Sequence, residues 1–217
     1  MTSLQKSASE LHEHVPPGWY FNSVRKNLIQ RFVHTRRFKE VANVVDPGTK
    51  RILDIGCADG AFTKVILDKS GAEEIIAIDV LKSNIDWAKK HWKKEKEMEF
   101  RVGDAHRLNF KEKSFDAVFA LEVLEHVFDP EAVLRQIKKV LKKGGYAVFL
   151  VPAETLLFQV VWYFWTKYYK GKIWQGTHLH AYKNRYLVKL AENVGFKIEV
   201  DKKIIFGTLH LIKVRMT

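Results

Sequence analysis

One segment of the sequence joins a short apolar run to two glycines: Arg51-Ile52-Leu53-Asp54-Ile55-Gly56-Cys57-Ala58-Asp59-Gly60. The apolar run has little polar surface, which is typical of a parallel strand that helices cover on both faces. Gly56 and Gly60 favour a tight turn that a ligand can approach closely, because glycine has no Cβ. The residues Ala61–Leu67 then have a helical pattern, whose N-terminal amides would face the end of the strand. The segment therefore predicts a strand, a ligand-binding turn and a helix.

The spacing of the small residues fits one of two ligand-binding turns better than the other. The dinucleotide fingerprint has small residues at the places held here by Gly56, Ala58 and Ala61. A pyrophosphate would have less room over the methyl group of Ala58. The alternative is an acidic residue followed by alternate glycines, which this chain meets, with one alanine, at Asp54, Gly56, Ala58 and Gly60. We therefore favour the second pattern.

Length and composition indicate a single globular domain. The chain has 217 residues and is 47% hydrophobic, which suits one domain with a full core. No apolar run is long enough to cross a bilayer, and the polar N-terminus lacks the apolar core of a signal peptide. Cys57 is the only cysteine, which excludes an intramolecular disulfide and a cysteine-rich zinc site. We expect a cytoplasmic protein without a transmembrane segment.

The net charge of +12 leaves two interpretations open. Basic excess can attract nucleic acid or an anionic membrane surface, or it can be a solubilising lysine-rich surface without a partner. The densest basic runs lie far apart, at Arg25–Lys39, Lys89–Lys96, Lys138–Lys143 and Lys167–Lys172. Because spread charge argues less for a nucleic-acid groove than one dense patch would, nucleic acid is the weaker partner hypothesis.

The residues before the first strand divide into two parts. Residues 1–18 are polar and end in a Pro-Pro-Gly sequence, so we expect a mobile tail. Residues 19–48 form a predicted N-terminal helical cap. Its predicted apolar face consists of Val24, Leu28, Phe32, Val41 and Val45, and basic residues take the other positions.

Two further predicted strands end in an aspartate, as the first one does. Glu74–Asp79 reads as a buried strand, and Phe100–Ala105 reads as a third strand that ends in Gly-Asp-Ala. An acid one βαβ step after a glycine turn can accept hydrogen bonds from both ribose hydroxyls of an adenosine. Asp54, Asp79 and Asp104 follow each other at even spacing, and the three together are a much stronger signal than any one.

The next segments complete a set of motifs. Ser114–Ala120 reads as a fourth strand, Glu131–Lys142 as a helix that Gly144-Gly145 ends, and Tyr146–Pro152 as a fifth strand. The runs Phe-Asp-Ala-Val, Leu-Glu-His-Val and Leu-Lys-Lys-Gly-Gly, with the glycine turn as motif I, resemble the class I S-adenosylmethionine-dependent methyltransferases. Within this family the sequence is type 11-like and similar to the ubiquinone- and menaquinone-pathway enzymes.

The resemblance implies a doubly wound α/β fold with seven mostly parallel strands, the Rossmann-like methyltransferase fold. The methyltransferase domain would span residues 49–217, with a lid insertion at 153–182 and a terminal hairpin around Gly207. In the family, Asp104 would hold the adenine amino group and Ala105 would lie beside the ring. The implied cofactor-binding residues are Asp54, Gly56, Cys57, Ala58, Gly60, Asp79, Val80, Asp104, Ala105 and Leu121.

The predicted lid begins with an apolar and aromatic run, Leu156–Trp165, that is too short to span a bilayer. Such a lid suits a small or lipophilic acceptor, and its aromatic–lysine edge would suit peripheral membrane contact. An extra core helix is the alternative. We predict that the lid meets the helical cap over the sheet edge, with Tyr20, His180 and Tyr182 on the wall of an apolar pocket.

Methyl transfer depends on positioning, and an oxygen nucleophile gains further from a base. His126 and His180 are our candidate catalytic bases, with His178 as a third, although each can instead be structural. Glu122, Glu125 and His126 also resemble a Glu-x-x-Glu-His segment that binds a divalent metal in ubiquinone-pathway O-methyltransferases. Because relatives with Leu-Glu-His-Val are not known to use a metal, we predict no metal site.

The sequence therefore predicts S-adenosylmethionine-dependent methyl transfer to a small or lipophilic acceptor, with O- and C-methylation both open. An RNA or protein methyltransferase is the first alternative, which the basic charge favours. The RNA-modifying N-methyltransferases often carry Asn/Asp-Pro-Pro-Tyr after the fourth strand, and Leu121–Leu124 stands there instead. The second alternative, a non-catalytic protein that binds S-adenosylmethionine, would have the same cofactor motifs.

Overall fold

Strands and helices alternate along most of the chain in the computed structural model, which describes residues 15–26, 28–153, 155–168, 179–183 and 185–217. The strands are β1 Arg51–Ile55, β2 Glu74–Asp79, β3 Met98–Val102, β4 Phe115–Leu121, β5 Leu141–Pro152, β6 Phe196–Ile204 and β7 Leu209–Met216. The helices are α1 Trp19–Lys26, α2 Leu28–Ala42, α3 Ala61–Ser70, α4 Lys82–His91, α5 Pro130–Val140, α6 Leu156–Tyr168 and α7 Tyr186–Val194. A 3₁₀ turn, Leu124–His126, follows β4.

One sheet contains all seven of these strands, in the order β3-β2-β1-β4-β5-β7-β6. The strands from β3 to β5 pair in parallel, whereas β7 pairs antiparallel with both β5 and β6. The chain order reverses direction at β1 and β4, which is where open α/β sheets bind ligands. The predicted doubly wound, mostly parallel fold with a terminal hairpin is confirmed.

A hydrophobic core lies on each face of the sheet. Side chains alternate along a strand, so the fully buried Ile52 and Leu53 of β1 pack into opposite cores. Leu53 shares its core with Leu134 of α5 and Leu187 of α7, and Ile52 shares the other with Ile66 of α3. Burial on both faces therefore explains the apolar composition of β1.

The strand register brings the predicted site residues to one edge of the sheet. Ile55, the last residue of β1, lies beside Ile78, and Asp79 lies beside Val102. Strand β3 ends at Val102, before the predicted end at Ala105. Beyond it, the amide of Gly103 donates a hydrogen bond to the carbonyl oxygen of Asp79 over 3.0 Å. The carboxyl ends of β1, β2 and β3 are therefore adjacent.

The N-terminal helical cap differs from the prediction in the face that it buries. Leu28 and Phe32, predicted on the apolar face, are 81% and 60% exposed. Arg37 and Glu40 of α2 are buried instead, and Glu40 pairs with Lys202 of β6 over 2.6 Å. The prediction was wrong for Leu28 and Phe32, whereas Val41 and Val45 are buried as predicted. The charged residues of α2 are buried because partners elsewhere in the chain, which a local apolar pattern does not contain, neutralise them.

The fifth strand begins earlier than predicted. Helix α5 ends at Val140 and β5 starts at Leu141, so Gly144-Gly145 lies inside the strand instead of ending a helix. The pairing of β5 with β4 shifts register here, and a Cβ on Gly145 would lie 2.8 Å from the carbonyl oxygen of Asp116. The glycines therefore allow an irregular strand pair to approach closely.

Two predicted segments lie partly outside the described residues. These are the tail, at residues 1–14, and the lid, at residues 169–178, which include His178. Helix α6 forms the described first part of the predicted lid, whose role stays a prediction. Among the helices that the structure describes, none has both the length and the apolar character needed to cross a membrane.

Candidate active site

A pocket opens at the carboxyl edge of the parallel strands. It is bordered by the turn after β1, by the ends of β2, β3 and β4, and by the start of the helical cap. All of the predicted cofactor-binding residues line it except Gly60: Asp54, Gly56, Cys57, Ala58, Asp79, Val80, Asp104, Ala105 and Leu121. The sequence therefore located the pocket, and the roles of these residues towards a cofactor stay predictions.

The turn after β1 leaves no room for side chains at its glycines. Gly56 has φ of 69°, and a Cβ there would lie 2.3 Å from Cγ2 of Val123. Gly60 has φ of 77°, and a Cβ there would lie 2.8 Å from Nε1 of Trp92. Ala58 also has a positive φ, 48°, in a region that residues with a Cβ rarely adopt. The alanine that departs from the glycine pattern therefore takes a backbone conformation that glycine would favour.

The carboxylate of Asp79 holds the turn in place. Its Oδ2 accepts a hydrogen bond from the amide of Ala58 over 2.9 Å. Its Oδ1 accepts from the amide of Leu81 over 2.8 Å and from the side-chain amide of Asn84 over 3.3 Å. A carboxylate in the pocket wall suits the two ribose hydroxyls that we expect it to bind.

Asp54 lies buried beneath the same turn. Its Oδ2 accepts a hydrogen bond from the hydroxyl of Thr63 over 2.6 Å. Burial raises the pKa of Asp54 to about 7, the Thr63 hydrogen bond opposes this increase, and the negative charge of Asp79 adds to it. The protonation state of Asp54 therefore changes near neutral pH.

Asp104 presents its carboxylate to solvent at the end of β3. Its Oδ1 accepts a hydrogen bond from the amide of His106 over 2.9 Å, and 58% of the side chain is exposed. Ala105 beside it is buried. An accessible acceptor next to a small apolar residue suits the adenine contacts that the resemblance implies.

The apolar part of the pocket wall includes Cys57, Val80 and Leu121. Burial raises the pKa of the Cys57 thiol well above its usual value, and the carboxylates of Asp79 and Asp54 raise it further. A thiol that stays protonated is a weak nucleophile. Cys57 therefore contributes packing and not reactivity.

The start of the helical cap and the residues just before it line the pocket, and among them the sequence predicted only Tyr20 on the pocket wall. The lining includes Val15, Pro16 and Gly18, which precede the cap, and Trp19 and Tyr20 at its start, so Tyr20 lines the pocket as predicted. Arg37 of α2 forms a buried ion pair with Glu122, which follows β4 and has a positive φ of 59°. The guanidinium of Arg37 also lies over the ring of Tyr20, 5.7 Å from its centroid. Arg37 is one of the basic residues predicted to lie away from the apolar face of the cap, and no local sequence signal identifies its partner.

His34, as a neutral ring, accepts a hydrogen bond from Arg37. The Nη1 of Arg37 donates to Nδ1 of His34 over 3.3 Å, since arginine has no acceptor. Burial lowers the pKa of His34 to about 3, and the charge of Arg37 lowers it as well. His34 therefore carries no charge at neutral pH and leaves Glu122 as the anionic partner of Arg37.

The structure separates the two predicted catalytic histidines. His126 ends the 3₁₀ turn and lines the pocket. His180 does not line it, and its Nε2 lies 3.2 Å from the carbonyl oxygen of Phe128. Tyr182 is buried in the core, where its hydroxyl donates to the carbonyl oxygen of Leu124 over 2.9 Å. The predicted position of His180 and Tyr182 on the pocket wall is wrong, because this segment packs behind the 3₁₀ turn.

The acidic side chains after β4 are not grouped around a common point, as the ligands of a metal ion would be. Glu122 pairs with Arg37, and Glu125 is buried. Within the part of the chain that the structure describes, no group of three or more His, Cys, Asp and Glu side chains is arranged to hold a metal ion. That the reaction needs no metal stays a prediction.

The charges around the pocket suit a cationic ligand. Among its described lining residues no lysine or arginine occurs, and the acidic ones are Asp54, Asp59, Asp79, Asp104 and Glu122, the last of which is paired with Arg37. Such a wall attracts a positive group and repels the pyrophosphate of a dinucleotide. Together with the close approach that Gly56 permits, the acidic wall fits S-adenosylmethionine, whose sulfonium is positively charged.

Comparisons with known sequences point to the same chemistry. Residues 53–149 match a family model described as "Methyltransferase domain". A ubiquinone biosynthesis O-methyltransferase of Pelagibacter ubique is 29% identical over 173 residues, which cover 72% of this chain and 68% of that protein. A demethylmenaquinone methyltransferase of Thermotoga maritima is 31% identical over 124 residues, which cover 56% of this chain and 53% of that protein.

Solved structures show the same fold at low identity. The [4+2]-cyclase SpnF matches with a TM-score of 0.78 and 15% identity, over 99% of this chain and 97% of that one. An S-adenosylmethionine-dependent methyltransferase from Mesorhizobium loti matches with a TM-score of 0.65 and 17% identity, over 81% of this chain and 96% of that one. Together with the acidic pocket, the sequence matches support a class I S-adenosylmethionine-dependent methyltransferase.

Proposed function

We propose that this enzyme methylates a small lipophilic acceptor at oxygen or carbon. The observation that carries the proposal is the apolar part of the pocket lining, to which Trp19, Val123 and Val127 contribute and which His126 shares. An apolar wall binds an acceptor mainly through buried area. The similarity to quinone-pathway methyltransferases supports an acceptor of this kind.

Some residues around the pocket would bind the cofactor, and others would act on the acceptor. Asp79 and Asp104 would hold the ribose and the adenine, and the turn at Gly56 would carry the rest of the cofactor. When bound, S-adenosylmethionine supplies an electrophilic methyl group on a positively charged sulfur. We assign His126, and no longer His180, as the base that removes a proton from a hydroxyl acceptor. The helical cap would exclude water from the pocket.

Helix α6 supports a membrane source for the acceptor. Its residues Leu157, Val160, Phe164 and Tyr168 follow the three-to-four-residue spacing of one helix face, yet their exposed fractions range from 46% to 62%. Beside this face, Nζ of Lys167 lies 5.4 Å from the ring centroid of Tyr168. Aromatic residues with a lysine are typical of a helix that lies on a membrane surface.

The net charge of the chain favours a membrane with anionic lipids. A net charge of +12 attracts anionic lipids, each lysine or arginine near the surface contributing about 1 kcal/mol. We therefore propose a cytoplasmic enzyme that docks through α6 on an anionic membrane surface and takes its acceptor from there. An RNA acceptor receives less support, because the described lining of the pocket contains no lysine or arginine.

A methyl-transfer assay tests this function. The enzyme is incubated with methyl-labelled S-adenosylmethionine and, separately, with a membrane-lipid extract, water-soluble metabolites, and RNA. We expect label in the lipid extract, and we expect His126→Gln to lower the rate without changing cofactor affinity. Label in RNA or in the water-soluble metabolites, with none in the lipid extract, would contradict the proposal.

A further inference from the structure

Asp59 uses one carboxylate to bind the first turns of two helices. Its Oδ2 accepts a hydrogen bond from the amide of Phe21 in α1 over 2.8 Å, and its Oδ1 accepts from the amide of Ala61 in α3 over 3.2 Å. The side chain is buried. Because Phe21 lies 38 residues before Asp59, this contact joins the helical cap to the cofactor turn.

Both helices need this outside acceptor because each follows a glycine. The first amides of a helix have no partner within it, and a Ser, Thr, Asp or Asn side chain at the preceding position usually accepts from them. Gly18 precedes α1 and Gly60 precedes α3, where no side chain of the preceding residue caps the helix. A Cβ would lie 2.6 Å from Trp87 at Gly18 and 2.8 Å from Trp92 at Gly60. Neither position can therefore carry its own cap.

The turn of α1 that Asp59 binds carries Tyr20, a residue of the pocket wall. On its other side Tyr20 contacts α2, where the ring of His34 lies 5.4 Å away in an edge-on arrangement. Arg37 of α2 lies over the same ring and pairs with Glu122. The pocket-lining carboxylates of Asp59 and Glu122 thus fasten α1 and α2, respectively, to the methyltransferase domain.

We propose that Asp59 is a positioning residue: through the amide of Phe21 it holds α1 and Tyr20 closed over the cofactor pocket. The same carboxylate binds α3 at the end of the cofactor turn, so the turn and the cap move together. A cofactor in the pocket lies between these two elements, and its retention depends on the link between them. This role is independent of which acceptor the enzyme methylates.

The variant Asp59→Asn tests the link, because asparagine keeps one acceptor oxygen and replaces the other with a donor. We expect about fivefold weaker S-adenosylmethionine binding by calorimetry, as for the loss of one helix cap. We also expect faster trypsin cleavage after Arg25 and Lys26, at the end of α1. Asp68→Asn is the matched control, because Asp68 is an exposed carboxylate on α3 that pairs with Lys64. It should change neither result.

A double-mutant cycle with Tyr20→Ala separates positioning from direct contact. If Asp59 acts through the cap, Asp59→Asn should weaken cofactor binding by less than about twofold in the Tyr20→Ala background. If the two effects multiply instead, Asp59 binds the cofactor itself and the proposal is overturned. An unchanged cleavage rate in Asp59→Asn, checked as folded by a thermal melt, also overturns it.

Hydrogen exchange provides a measurement that needs no variant. In the wild-type chain, added S-adenosylmethionine should slow amide exchange in peptides that cover Trp19–Lys26, because cofactor and cap stabilise each other. Equal exchange with and without the cofactor would show that closure of α1 is not coupled to the pocket.

Discussion

Asp54 lies at the end of β1 with its carboxyl group buried under the cofactor turn. Its pKa in the folded chain is about 7, whereas an unfolded chain has an aspartate pKa of about 3.9. The unfolded state therefore releases this proton first as the pH rises. The contribution of Asp54 to the free energy of unfolding is fully present below about pH 4, decreases up to about pH 7, and stays constant above that.

Replacement of Asp54 should remove this pH dependence. Between about pH 5 and about pH 8, the wild type should lose about 2–3 kcal/mol of stability relative to Asp54→Asn. Denaturant titrations of both proteins without cofactor, at the two pH values, measure the difference. Parallel stability profiles would show that Asp54 is already ionised in the folded chain at the lower pH.

At the scale of elements, α6 exposes Leu157, Val160, Phe164 and Tyr168 to solvent. Its other face contains Phe158 and Trp162, whose ring centroids lie 5.4 Å apart in a stacked arrangement. Substitutions on the exposed face should cost little stability, since no core contact is lost. The double variant Val160→Ser/Phe164→Ser should reduce binding to phosphatidylglycerol vesicles by at least about tenfold, because two side chains no longer enter the lipid. Vesicle sedimentation measures this change.

Phe206→Ser provides the control for α6. Phe206 is 82% exposed and lies in the turn between β6 and β7, so its loss removes similar apolar area from another surface. It should leave vesicle binding unchanged. Equal binding of the α6 double variant and the wild type would contradict membrane docking through α6 and leave its apolar face to a different partner.

At the scale of the whole molecule, the charges divide by location. The chain carries a net charge of +12, yet the charged lining of the pocket, apart from histidine, is acidic among the described residues. The basic excess therefore lies outside the cofactor site. Such a division suits a cationic cofactor inside and an anionic surface outside, and it does not require nucleic acid.

The sequence predicted the sheet and its active edge because both follow from local patterns. Apolar runs such as Ile52–Ile55 identify buried strands, and Asp54, Asp79 and Asp104 mark strand ends that a parallel sheet places together. The backbone of Ala58 was harder to foresee, since its positive φ appears only in the structure. The fold and the cofactor edge were thus accessible from sequence.

The cap and the lid were not accessible in the same way, because their contacts join distant parts of the chain. Arg37 finds its partner beyond β4, and Phe21 donates to a carboxylate 38 residues away. Tyr182 is aromatic and ends the predicted lid, which suggested a pocket wall, but its hydroxyl donates to a buried carbonyl oxygen in the core. No local pattern distinguishes these outcomes.

Calorimetric titration of the wild type and Asp79→Ala with S-adenosylmethionine tests the central claim, that the acidic edge of the sheet binds this cofactor. We expect the wild type to bind S-adenosylmethionine in preference to NAD, and Asp79→Ala to bind it about 1.5–3 kcal/mol more weakly, since charge-assisted hydrogen bonds are lost. Asp68→Ala, which removes an exposed carboxylate from α3, should bind like the wild type. Unchanged affinity in a folded Asp79→Ala variant, or preferential binding of NAD by the wild type, would contradict the claim.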